Sequence, residues 1–251
     1  MCFSAYNNPS IDTKGSTMSD FRQPSLPGQE AYAGRDVVRN RVLRNTYWLL
    51  ALSMIPTVLG ALVGLHTGIN NAMATSPGTS AIIFLIGAFG LMFLIERNKN
   101  SSLGVALLLA FTFFMGIMLS RLLGHVMGFA NGTQLIMLAF GGTAVVFGAM
   151  ASVASTTKRD FSHWQKFLFI GVVILIVASL ANIFLQLPAL VLTVSVMAIV
   201  IFSAFLLVDL QRVIRGGETN YVSATLAIYL DVYNIFANLL MLLGIFGGDR
   251  R

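Results

Sequence analysis

The sequence predicts an all-α integral membrane protein with seven transmembrane helices, and three observations carry that expectation. Of the 251 residues, 56% are hydrophobic and only 10% charged, against about 25% charged in ordinary soluble domains. Seven apolar runs each fall within the ~17–25 residues that a spanning helix needs. The runs do not alternate apolar and polar positions, as Phe167-Leu168-Phe169-Ile170-Gly171-Val172-Val173-Ile174 illustrates, which argues against the strands of a membrane barrel.

Taken in order, residues 1–45 precede the first run. They are polar and turn-rich, with Asn7-Asn8-Pro9-Ser10 and Pro24-Ser25-Leu26-Pro27-Gly28, and end in a basic collar. This composition reads as a flexible cytoplasmic tail. It has no apolar core of a signal peptide. Met18-Ser19-Asp20 offers a second start beside Met1. The membrane domain, residues 46–248, then follows. The first run, 47–65, holds Gly60 and Gly64, and the second, 79–95, stops before Arg97 and Lys99. The third, 102–120, stops at Arg121, and the fourth, 132–155, holds Gly141, Gly142, Gly148 and Ser152. The fifth, 167–187, and the sixth, 188–208, meet at Pro188. The seventh, 224–246, follows Gly216-Gly217, a natural helix stop, and carries Asp231, the one formal charge inside any run. Residues 249–251 form a charged end. Small residues let helices approach closely in lipid, so the Gly60/Gly64 pair and the Gly141–Ser152 set are candidate helix contacts; glycine is also simply common in membrane helices.

Basic residues set the orientation. Lys14, Arg22, Arg35, Arg39, Arg41 and Arg44 precede the first run, Arg97 and Lys99 follow the second, Lys158, Arg159 and Lys166 the fourth, and Arg212 and Arg215 the sixth. Those thirteen lie on one side; Arg121, Arg250 and Arg251, three in all, lie on the other. Cytoplasmic loops carry the Lys/Arg excess, so the amino terminus is expected in the cytoplasm. Seven spans then put the carboxyl terminus outside, unless the last run is re-entrant.

Several function classes drop out. The net charge of +6 fits cytoplasmic loops better than phosphate contacts, so no nucleic-acid partner is expected. The single cysteine, Cys2, sits in the tail and can supply neither an intrachain disulfide nor a zinc site. No Ser/His/Asp set, P-loop or dinucleotide fingerprint is present. An intramembrane aspartyl protease would need Gly-x-Gly before its second Asp, where this chain has Ile228-Tyr229-Leu230. That leaves no enzymatic activity as the reading and the protease as a weak alternative.

Polar groups inside hydrocarbon are costly and are functional by default. Asp209 lies at the cytoplasmic end of the sixth run, as a functional acid or only a cap or interface charge, and Asp231 lies about two turns into the seventh, so the two carboxylates lie near the same leaflet on consecutive antiparallel helices. Arg97 lies at the same depth and is a candidate salt-bridge partner, or only a boundary anchor. Asp231, Asn234 and Asn238 share one helical face, and Ser179, Asn182 and Gln186 repeat that spacing in the fifth run. These two stripes are expected to face each other or a wet interior. Close carboxylates titrate as a unit, which makes the pair a candidate proton sensor. The pair is also a candidate transient calcium site, too poor in oxygens for the 6–8 ligands of a tight one. No resident cofactor is implied.

At these residues the sequence resembles the Bax inhibitor-1 family, also called the transmembrane Bax inhibitor motif family. The resemblance rests on Phe205-Leu206-Leu207-Val208-Asp209-Leu210-Gln211 and on Ile228-Tyr229-Leu230-Asp231-Val232-Tyr233-Asn234-Ile235-Phe236. The bacterial YccA-like branch is the most similar, through Leu43-Arg44-Asn45-Thr46-Tyr47, Ala181-Asn182-Ile183-Phe184-Leu185-Gln186-Leu187-Pro188-Ala189-Leu190 and Gly216-Gly217-Glu218-Thr219-Asn220-Tyr221. The resemblance implies a last helix running centrally among the other six. It implies an inner-membrane modulator of a membrane-anchored AAA protease, engaged through the amino-terminal tail. It also implies a pH-gated calcium leak that uses Asp209 and Asp231, with a second-helix arginine as partner.

Overall fold

The computed structural model describes residues 27–69 and 75–248. Seven helices cross it: α1 (Pro27–His66), α2 (Pro77–Asn98), α3 (Ser102–Met127), α4 (Gly132–Thr156), α5 (Trp164–Leu185), α6 (Pro188–Ile214) and α7 (Tyr221–Gly247). Each contains a stretch long and apolar enough to span a bilayer. α7 is one unbroken helix of 27 residues, which at 1.5 Å per residue is roughly 40 Å, long enough for a full crossing.

Local chemistry explains the helix boundaries. α2 and α6 open with Pro77 and Pro188, where the missing N–H would have had no intrahelical acceptor. Asn220 caps α7: its Oδ1 accepts from the N–H groups of Val222 at 2.9 Å and Ser223 at 3.2 Å. The α6–α7 connection turns at Gly216, whose φ of 74° is left-handed.

One boundary differs from the expectation. Residues 27–45, read as the end of a flexible tail, are helical and continue into the first span without a break. Hydropathy marks where the membrane begins, not where hydrogen bonding along the backbone begins. The segment between Gly28 and Pro56 has no proline to stop a helix. Residues 1–26, including both possible starts and Cys2, lie outside the described residues, as does the charged end 249–251.

The tightest crossing joins α1 and α3. A Cβ on Gly60 would fall on the Phe113 carbonyl oxygen, one on Gly64 on the Ser120 hydroxyl, and one on Gly116 on the Thr57 carbonyl oxygen. The Gly60/Gly64 pair is thus a helix contact. Gly141 and Gly148 are not: a Cβ on either meets nothing within 4 Å.

α7 is central. It packs against α1, α2, α3, α4 and α6, while α5 reaches the bundle mainly through α6. The main core lies around Leu108, Phe111, Leu206, Ile228, Tyr229 and Ile235. A smaller cluster of Val126, Leu135, Ala139 and Leu240 closes the opposite end.

Candidate functional site

The site forms where α6 ends and α7 begins. Asp209 lies five residues before the end of α6 and Asp231 ten residues after the start of α7. At 1.5 Å per residue they sit roughly 8 and 15 Å from those ends. Because the helices are antiparallel neighbours, the two side chains meet within hydrogen-bonding reach. Asp209 is half-buried, whereas Asp231 is 4% exposed. Asp231 Oδ2 is fully buried and, among the described residues, receives no hydrogen bond from a protein donor. A carboxylate offers only acceptors, so a proton held between the two groups would supply the missing donor.

Asp209 also lines a cavity of about 220 Å³, together with Glu96 and Lys99 from the end of α2, Arg212 and Glu218 from the α6 end and its turn, and Ser223 from α7. Two ion pairs organise its mouth. Lys99 Nζ donates to Glu96 Oε2 at 2.9 Å, and Arg212 lies 3.6 Å from Glu218. The Glu96 carboxylate holds the Lys99 ammonium above its usual range, that is, charged. Ser223 Oγ is buried and faces Glu96. Asn220 fixes the rim, donating through Nδ2 to the Lys99 carbonyl at 3.1 Å and to Asn100 Oδ1 at 2.8 Å. Glu218 Oε1 accepts from the N–H groups of Thr219 and Asn220, both at 3.0 Å. The arrangement can accept and pass a proton and can attract a cation. Among the described residues, no three His, Cys, Asp or Glu side chains come together as a metal-ligand set.

Arg97 is not part of this arrangement. It is exposed at the end of α2, and its neighbour Glu96 faces the cavity instead. Adjacent residues on a helix diverge by about 100°, so a slip of one position exchanges a cation for an acid. The cation whose charge bears on Asp209 is Arg212, three residues further along α6.

The two polar stripes do not face each other either. α5 makes no contact with α7 among the described residues. Ser179 and Gln186 are exposed. Asn182 closes the α5–α6 turn, its Oδ1 accepting from the Leu187 N–H at 2.9 Å beside Gln186 at φ 50°. With Gln186 it lines a second cavity at the opposite end from Asp209, reached also by Ile245. On α7, Asn234 and Asn238 are half-buried and turn back on their own helix, donating to the carbonyls of Leu230 and Asn234 at 2.8 Å each.

Within the bundle, two tyrosines tie α7 to α1 and α3, and at its far end Asn131 Nδ2 donates to the Gly247 carbonyl at 2.6 Å. Tyr229 OH shares a hydrogen bond of 2.8 Å with Thr57 Oγ1 of α1, and Tyr233 OH donates to the Met115 carbonyl of α3 at 3.2 Å. Their i, i+4 spacing in the sequence was the available signal. Nothing in the linear sequence marked Glu96 and Glu218 as cavity residues.

Comparison with known proteins identifies the family. A family model described as "Inhibitor of apoptosis-promoting Bax1" matches residues 39–248. The chain is 40% identical over 210 residues to a protein of Escherichia coli (strain K12) named "Modulator of FtsH protease YccA", covering 84% of this chain and 92% of that one. An Escherichia coli O6:H1 protein named "Inner membrane protein YccA" matches to the same extent. A Vibrio cholerae membrane protein is 36% identical over 216 residues, covering 86% of this chain and 94% of its own length. The chain belongs to the Bax1 inhibitor family of membrane proteins.

Proposed function

We propose, from that membership, that this protein resides in a bacterial inner membrane and modulates a membrane-anchored AAA protease without catalysing a reaction itself. The observation that carries this is the 40% identity, across nearly the whole membrane domain, with a relative named for modulating FtsH. The thirteen basic residues on one side support an amino terminus in the cytoplasm. The basic segment before the first span is then the natural contact for a cytoplasmic protease domain. Its last part is helical and leads directly into packed residues such as Val42. A deletion that ends at residue 38 therefore tests the contact without opening the core. Co-purification with the protease and a changed rate of membrane-protein degradation are expected from the full chain, and both are expected to weaken in the deletion. An undiminished interaction would move the contact to Arg39, Arg41 and Arg44, which the deletion keeps, or to the membrane helices.

The second reading is a proton-sensitive passive cation path, with calcium as the transported ion. The buried Asp231 carboxyl beside Asp209, which itself lines a charged cavity, favours it. Calcium flux into liposomes from roughly pH 6 to 8 should depend on pH in the wild type and lose that dependence in Asp231→Asn and Asp209→Asn. Flux no greater than in empty liposomes would reduce the pair to a structural contact.

A further inference from the structure

The seven residues between α4 and α5 are held by the end of α6. Arg215 donates to the carbonyls of Thr157 at 3.0 Å and Arg159 at 2.7 Å. Gln211, buried, donates from Nε2 to the same Arg159 carbonyl at 3.0 Å and accepts from the Phe161 N–H at 3.3 Å. With its backbone fixed in this way, the connection packs Phe161 against the core and turns its cations outward. Lys158, Arg159, His163, Trp164 and Lys166 are all exposed.

Charge in this segment is one-sided. Its acid, Asp160, is already engaged: Oδ1 accepts from the Ser162 N–H at 2.9 Å and lies 4.0 Å from the Arg215 guanidinium. Among the described residues, the charged groups of Lys158, Arg159 and Lys166 have no ion-pair partner. Trp164 stands at the first turn of a membrane-spanning helix, its ring 5.0 Å from that of Phe161 and 48% exposed. Tryptophan at such a position seats at the headgroup level, and cations there attract anionic lipid.

We infer that the α4–α5 connection is a headgroup site for an anionic phospholipid of the adjoining leaflet, with Lys158, Arg159 and Lys166 on the phosphate and Trp164 at the glycerol level beside it. The occupant is lipid because the cations flank an interfacial aromatic residue at a helix end, where a headgroup is already present. The site is independent of the Asp209–Asp231 pair and of any protease.

The chain has two tryptophans, so Trp48→Phe leaves Trp164 as the sole reporter. Reconstituted in phosphatidylcholine vesicles, Trp164 should be quenched about twofold or more strongly by about 10 mol % chain-brominated phosphatidylglycerol than by equally brominated phosphatidylcholine. Lys158→Gln, Arg159→Gln and Lys166→Gln together should abolish that preference, and Lys158→Arg with Lys166→Arg should keep it. If the neutral variant does not reconstitute, salt decides with the native loop, because about 1 M salt shortens the screening length to ~3 Å and should remove the preference. Equal quenching by the two lipids, or a preference that survives neutralisation or high salt, would overturn the site. The cations would then be left to an acidic protein surface.

Discussion

α5 and α7 are both long enough to cross a bilayer, but they live in different surroundings. The most apolar stretch of α5 has a mean hydropathy of 2.8, and that of α7 only 1.7. Yet α5 buries a single residue, Leu175, while α7 buries ten, Asp231 among them. In water the order would be reversed. Lipid tails are as apolar as leucine, so hydrophobicity gives a helix no reason to move inward, whereas hydroxyls, amides and carboxyls gain partners only inside the bundle. The more polar helix is therefore central and the more apolar one peripheral.

The largest effect should come from truncating an α7 anchor. Tyr229 is 1% exposed, stacks edge-on against Phe111 and bonds Thr57. Tyr229→Ala should cost about 3 kcal/mol or more, whereas Phe184→Ala in α5, at a residue 87% exposed, should stay within about 0.5 kcal/mol. Thermal unfolding of the two variants in one detergent compares them directly, and equal losses would break the contrast.

A smaller effect, of about 1–3 kcal/mol, is expected where a side chain must be inserted between backbones. Gly116→Val drives a Cβ into the Thr57 carbonyl, but Gly148→Val meets open space. Only the first should lower Tm. A matching drop at Gly148 would show that this face of α4 is covered in the membrane.

Asp231→Asn sharpens the account of α7 with the opposite sign. The amide keeps the shape and brings an N–H donor to Asp209, so Oδ2 is no longer an acceptor without a donor. A stability gain of about 1 kcal/mol is expected at alkaline pH, read as a raised Tm. A fall would mean that the oxygen is already hydrogen-bonded in the folded protein. Smallest is Ser179→Leu in α5. Ser179 is exposed, so the change should lie within about 0.5 kcal/mol on unfolding, and a larger loss would mean that the polar stripe has a partner.

Much of the site was legible in the sequence, but unevenly. Asp209 and Asp231 come together because a short turn makes their helices antiparallel neighbours, and depth along each helix can be counted from its end. Arg97 was misplaced because facing depends on the helical angle as well as on depth, and one residue of error rotates a side chain away from the cavity that Glu96 enters. The Ser179–Gln186 stripe failed for a related reason. Spacing shows that residues share a face, but not which neighbour that face meets. Asn182 uses its amide within its own turn, and Asn234 and Asn238 donate theirs within their own helix. Of the two glycine sets, only Gly60/Gly64 has a backbone against it.

By itself the sequence determined the number of spans, their order, the basic side and the single acid buried in the last helix. Each of these follows from local composition, because partitioning into lipid is a property of ~20 consecutive residues. Tertiary structure alone decided that Glu96 and not Arg97 lines the cavity of Asp209, and that α5 lies outside while Tyr229 and Tyr233 tie α7 to its neighbours. Rotation about a helix axis changes nothing in an apolar medium until side chains touch, and only the packed bundle supplies those contacts.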